Sequence, residues 1–183
     1  KKSPLDIFQM KFSKNLKNDF KKVKTDSIQN LVLDLRGNGG GYIPNVGKIL
    51  KYVALEPFKL IDTMALRRSA YYKIFPIQRI MPPLIAPFYF NKTDKTYRYR
   101  GNNHTPKKKP NSNAYLGKLY VFMDAASYSA TTFTICLLKD MERATFLGDH
   151  PGGANWGSHA GSWYKAKLPN SKIQIRIPQY KIV

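Results

Sequence analysis

Tyr120-Val121-Phe122-Met123-Asp124-Ala125-Ala126-Ser127-Tyr128-Ser129-Ala130-Thr131-Thr132-Phe133-Thr134-Ile135-Cys136-Leu137-Leu138-Lys139-Asp140 changes its hydrophobic rhythm part-way along. The opening apolar run, Leu119 to Met123, is too short for a helix and is bounded by polar turn formers, so it predicts a buried strand. From Ser129 onward Phe133, Cys136, Leu137 and Met141 fall on one helical face, with Ser and Thr massed at the start. A strand, a short turn and a helix follow one another, and Ser129 stands at the junction. A hydroxyl there faces the positive end of a helix, whose unpaired N–H groups can hold a developing anion. Capping of the helix by Ser127 and Ser129 accounts for the same residues. From this stretch alone capping is the preferred reading, because it is the commoner use of such serines.

A chain of 183 residues suggests one domain, able to bury roughly 70% of its unfolded surface. Its 43% hydrophobic and 13% aromatic content is globular, which excludes a disordered chain. No apolar run approaches the ~20 residues of a membrane span, and no signal peptide is evident. The opening Lys1-Lys2-Ser3-Pro4 lacks an initiator methionine, so the chain reads as a portion of a longer protein. Cys136, the single cysteine, lies on the apolar face of the expected helix and reads as a small core residue. The net charge of +20 raises nucleic acid or an anionic surface as a partner. Yet the lysines are scattered, with no helix–turn–helix, zinc pattern or RNP-like strand beside them. We therefore expect a solvated basic surface and no nucleic acid, with attraction to an anionic envelope surface left open.

Along the chain, Ser3-Pro4 and Asp6 mark a helix start, and Phe8, Phe12, Leu16, Phe20 and Val23 recur on one face until Asp26-Ser27. Leu31 to Leu35 is a strand that runs into Arg36-Gly37-Asn38-Gly39-Gly40-Gly41. Such a glycine turn permits positive φ and close backbone approach. It lacks the lysine and hydroxyl of a phosphate loop, since Tyr42-Ile43-Pro44 follows, and no acidic residue completes a dinucleotide fingerprint. It can still lend N–H groups to an anion. Val46, Ile49, Leu50 and Val53 mark the next helix. Phe58 to Leu66 reads as a strand, and about 67–114 as an irregular basic insertion whose tract Gly101 to Asn113 should be exposed or mobile. Arg143 to Leu147 is a short strand ending at Gly148-Asp149-His150-Pro151-Gly152-Gly153. Ser162 to Leu168 and Lys172 to Ile177 are the final strands, turning at Pro169-Asn170-Ser171.

Leu33-Asp34-Leu35-Arg36-Gly37-Asn38-Gly39-Gly40-Gly41, then Ser129-Ala130-Thr131, then Phe146-Leu147-Gly148-Asp149-His150-Pro151-Gly152-Gly153 occur in an order that resembles the S41 peptidases. These are the tail-specific or C-terminal processing serine proteases. The ending Leu168-Pro169-Asn170-Ser171-Lys172-Ile173-Gln174-Ile175-Arg176-Ile177-Pro178 is similar to the S41 branch common in bacterial envelope proteins. The likeness covers residues 1–183 apart from the insertion, as the C-terminal portion of an S41 core with its upstream part absent. It implies an α/β, ClpP/crotonase-like core of repeated strand–strand–helix units, in a periplasmic or secreted protein of the bacterial envelope. It implies that Ser129 forms an acyl-enzyme with peptide or unfolded protein tails. The oxyanion hole it implies is the N–H of Ala130 and of a glycine in the turn, Gly41 ahead of Gly40. No metal or cofactor is implied.

The likeness breaks at the general base. Many processing peptidases carry a lysine after the Gly-Glu pair, here Gly148-Asp149, and that lysine's position is Ala154. A methyl group takes no proton. Another S41 branch, resembling the tricorn core, draws a histidine from sequence upstream of the glycine turn. Within this chain the candidate base is His150, with His159 and His104 behind it. A decayed, peptide-binding scaffold on the same fold is the alternative, and a basic surface-binding module is a third reading carried by charge alone. A PDZ-like domain, the usual companion, would precede Lys1.

Overall fold

The computed structural model describes residues 4–67, 90–92, 96–99, 107–154, 159, 163–178 and 180–182. Contacts group the chain into two compact units, Lys1–Leu60 with Lys107–Asn155 and Ile61–Pro106 with Trp156–Val183, where length alone suggests one.

The first unit is built on a parallel sheet of β1 (Asn30–Asp34), β5 (Lys118–Met123) and β6 (Ala144–Gly148), with β5 in the middle. Leu31 pairs with Leu119 and Val121 with Phe146. Helix α3 (Ala130–Asp140) returns the chain from β5 to β6, as a parallel pairing requires. Leu119, Val121 and Met123 are buried on one face of β5, against Ile135 and Leu138 of α3 and Leu50 and Val53 of α2 (Ile43–Val53). The other face is only partly covered, and Val32 is 49% exposed. The three expected strands and the helix after Ser129 therefore assemble as the sequence predicts.

Helix α1 (Pro4–Thr25) packs most deeply through its second half, while in its first half Gln9 accepts from Lys48 Nζ of α2 at 2.9 Å. Phe20 is buried and stacks on Tyr52 of α2 at 4.8 Å, whereas Phe8 is 59% exposed. Ser27, at φ 51°, ends it in a Schellman pattern: the Ile28 N–H donates to Val23 O and the Ser27 N–H to Lys24 O. Glu142 closes α3 the same way and turns the chain into Arg143.

Arg143 is buried, and its guanidinium donates to the carbonyls of Val53, Tyr115 and Gly117. Burial lowers its pKa, which still leaves it cationic. This one side chain ties the end of α2 to the segment entering β5.

The second unit holds an antiparallel sheet in the order β3 (Phe90–Lys92), β4 (Thr96–Tyr99), β2 (Met64–Arg67), β9 (Tyr180–Ile182). A separate hairpin joins β7 (Trp163–Lys167) to β8 (Gln174–Pro178), with Lys172 at φ 59° in its turn. Two expectations need correction. The 67–114 insertion is not wholly irregular, because β3 and β4 pair within the sheet. The single strand from Phe58 to Leu66 is instead a lone bridge, Phe58 to Lys108, followed by β2, because the two ends have different partners.

Part of the Gly101 to Asn113 tract, 101–106, lies outside the described residues. Lys107 and Lys109 are exposed as expected. Lys108 is half-buried, with backbone bonds to Phe58 of 2.7 and 3.0 Å, and the Asn111 N–H donates to Lys51 O, so this end of the tract is tethered.

Arg143→Ala would strand two buried carbonyls, those of Val53 and Tyr115, and the half-buried one of Gly117, each of which loses a charged donor. It should cost about 2–4 kcal/mol in urea unfolding. A loss below about 1 kcal/mol, the worth of an ordinary hydrogen bond, would contradict the structural role given to Arg143.

Candidate active site

The first unit's parallel strands all end on one edge, and the turns 37–41, 124–129 and 148–153 leave from there. In such sheets the carboxyl edge is where ligands bind. Beyond Met123 the chain folds on itself: the Ser127 N–H donates to Asp124 O at 2.9 Å and the Asp124 N–H to Ser127 Oγ at 3.0 Å. Ser127 is fully buried, with its hydroxyl 2.8 Å from Leu35 O and 3.1 Å from Asp124 Oδ1. Its carbonyl accepts from Thr132 Oγ1 and from the Gly152 N–H. Ser127 is thus a knot between β1, α3 and the loop after β6.

Ser129 differs. Its backbone sits at φ 58°, ψ −120°, a region that costs a non-glycine residue roughly 1–3 kcal/mol and persists only where neighbours enforce it. Its side chain makes no capping bond, and a capping serine sits in the β region with its oxygen on an N–H of the first turn. The capping role is excluded for this residue. Half-buried Ser129 keeps a hydroxyl uncommitted to the helix, while the Ala130 N–H, first of α3, has no acceptor among the described residues.

The glycine turn presses directly on this junction. The Tyr128 N–H donates to Asn38 O at 3.0 Å. A Cβ on Gly40, which has φ 98°, would lie 2.6 Å from Tyr128 O, 2.8 Å from Ala130 N and 2.8 Å from Ser129 Cβ. No side chain fits. The two glycines named from the sequence divide the work: the Gly40 N–H is taken by Asn38 Oδ1 at 3.0 Å, while the Gly41 N–H has no acceptor among the described residues.

His150 is exposed and makes no hydrogen bond to Ser129. Ala154 is exposed, after Gly153 has closed against Thr132. His159 is exposed and belongs to the second unit, and His104 lies outside the described residues. Cys136 is half-buried, and burial raises its thiol pKa.

Asp124 carries no role in the sequence reading, yet its carboxylate accepts from the Gly37 N–H at 3.0 and 3.1 Å and from the Ala126 N–H at 3.0 Å. These bonds, Gly37 foremost, hold its pKa below the usual carboxylate value. A signal existed: an Asp at a strand end with a Ser three residues on is a local turn former. Nearby, the Arg36 guanidinium bonds Asp34 at 2.7 and 2.9 Å and brings its pKa down to about 2.

The family model of Peptidase family S41 matches residues 4–181. The chain belongs to peptidase family S41. Its fold is the α/β, ClpP/crotonase-like one. Among solved structures it is similar to the photosystem II D1 C-terminal processing protease, at 16% identity and TM-score 0.55, covering 94% of this chain and 35% of that one. It is also similar to mature CPAF, at 14% identity and TM-score 0.57, covering 92% and 38%. At such identities the likeness is one of fold. The S41 chain described here spans little more than a third of either structure. No curated protein matches it in sequence.

Gly40→Ala should cost about 1–3 kcal/mol by scanning calorimetry, since the strained junction must give way. Gly39→Ala, which meets nothing within 4 Å, should stay within about 0.5 kcal/mol. Equal losses would show that the Gly40 contact is not a constraint.

Proposed function

We propose that this chain is the catalytic core of a serine peptidase, in which Ser129 attacks a peptide carbonyl and forms an acyl-enzyme. The observation that carries this reading is the seating of Gly40 on the Ser129–Ala130 backbone, beside a serine held at positive φ. Two N–H groups have no acceptor among the described residues, that of Ala130 at the start of the helix and that of Gly41, next in sequence to the Gly40 seated there. Acyl transfer needs such a donor pair where negative charge grows on the carbonyl oxygen. The hydroxyl proton passes to a base and the serine oxygen bonds the carbonyl carbon. The collapsing tetrahedral species then expels the amine, and water releases the acyl group in the second half. Family membership supports peptide or unfolded protein tails as the substrate. Likeness of the C-terminal strands to envelope S41 proteins supports a place in the bacterial envelope.

The base is the open part of this reading. His150 serves within the chain only if the loop after β6 brings it to Ser129; otherwise the base comes from sequence upstream of Lys1. Ala154 at the family lysine's position favours a second reading, a peptide-binding scaffold whose catalysis has decayed.

A serine-directed fluorophosphonate probe separates the two. The full-length protein should label on Ser129, and Ser129→Ala should abolish both labelling and cleavage of unfolded casein. His150→Ala should remove activity only if that imidazole is the base. A protein that binds unfolded casein but neither labels nor cleaves it is the scaffold.

A further inference from the structure

We infer that Asp124 is the positioning residue that holds the oxyanion-binding glycine turn in register with Ser129; this rests on the serine peptidase reading. Four hydrogen-bonded links join the end of β1 and its turn to the end of β5 and its turn. The Leu35 N–H donates to Phe122 O at 2.9 Å, the Ser127 hydroxyl to Leu35 O at 2.8 Å, the Gly37 N–H to the Asp124 carboxylate, and the Tyr128 N–H to Asn38 O at 3.0 Å. The first is an ordinary continuation of the sheet, and the second fastens Ser127 at the strand end. The last is the approach that must be kept. Asp124 supplies the one before it, and of the two side-chain links it is the one that reaches the glycine turn itself.

Its geometry suits that task. Both carboxylate oxygens lie within 3.1 Å of the Gly37 N–H, and Oδ1 also accepts from the Ala126 N–H and lies 3.1 Å from Ser127 Oγ. Gly37 sits at φ 67°, where the chain leaves the direction of β1. From Gly37 the turn reaches Asn38, whose carbonyl holds Tyr128 and whose side chain holds the Gly40 N–H. Gly40 then bears on Ser129, and the N–H of the next residue, Gly41, has no acceptor among the described residues. A carboxylate accepts from all of these donors, whereas an amide must turn its NH₂ toward one of them. Asp124 touches no reacting atom. Its effect falls on where the Gly41 donor stands, and so on the transition state more than on substrate binding.

The test compares the full-length wild type with Asp124→Asn, using fluorescent unfolded casein and a peptide boronic acid, with rates normalised to sites counted by exhaustive fluorophosphonate labelling. Asp124→Asn should lower kcat by ~10²–10³, the cost of one misplaced oxyanion donor, with KM unchanged. Boronate affinity should fall by a similar factor, because the boronate mimics the tetrahedral state. A merely structural role predicts a lower Tm with kcat per labelled site and boronate affinity unaltered, and that result overturns the inference. If Asp124→Asn does not fold, Asp124→Glu keeps the charge while displacing the carboxylate, and the same split is read from it. A wild type that never labels overturns the peptidase reading and this inference together. A wild type that labels beside an unaffected variant overturns the inference alone.

Discussion

The parallel pairing of β1 with β5 is the constraint on which the rest of the first unit depends. It runs from Asn30 opposite Lys118 to Asp34 opposite Phe122, so the two strands end level with each other. Whatever leaves β1 must therefore meet whatever leaves β5. One strand is followed by a run of glycines and the other by a serine turn and a helix. Their meeting seats Gly40 on the Ser129–Ala130 backbone at the start of the helix. Shifting the register by one residue would flip Leu119, Val121 and Met123 out of the core, so burial defends the alignment that the site needs.

That alignment is reinforced from both sides. On the core side Ile135, Leu138, Leu50 and Val53 fix α3 and α2 on the sheet, and Arg143 fastens the chain's entry into β5. On the edge side Ser127 and Asp124 close the turn by hydrogen bonds, and Gly152 docks the third loop onto Ser127. The strain in Ser129 is sustained because its neighbours on both sides are held. A serine that only capped a helix would need none of this.

The strand–turn–helix of 119–140 was legible because its apolar spacing changes from a continuous run to a helical period at one place. The glycine turn was legible because four glycines among residues 37–41 have few other uses. Which glycine does what was not, since it depends on the Asn38 side chain taking the Gly40 N–H. Ser127 and Ser129 look alike in sequence, and only the backbone conformation separates the buried knot from the strained junction. In α1 the periodicity carried the apolar stripe back to Phe8, which is exposed, because a stripe does not say how far its partner extends. Strands β3 and β4 were missed for another reason: they are three and four residues long, basic and aromatic, and β4 is anchored by β2, a partner distant in sequence. The base stayed hidden because Ala154 removes the one residue whose position the motif would have given.

In the proposed mechanism the Gly41 and Ala130 N–H groups together receive the oxygen of a tetrahedral adduct on Ser129. A crystal structure of the full-length protein reacted with a peptide boronic acid reads this directly. It should show a boron–Ser129 Oγ bond and one boronate oxygen roughly 3 Å from both nitrogens, with Gly40 still seated on the Ser129–Ala130 backbone. An adduct whose oxygens all point to solvent, or a glycine turn withdrawn from Ser129, would contradict it.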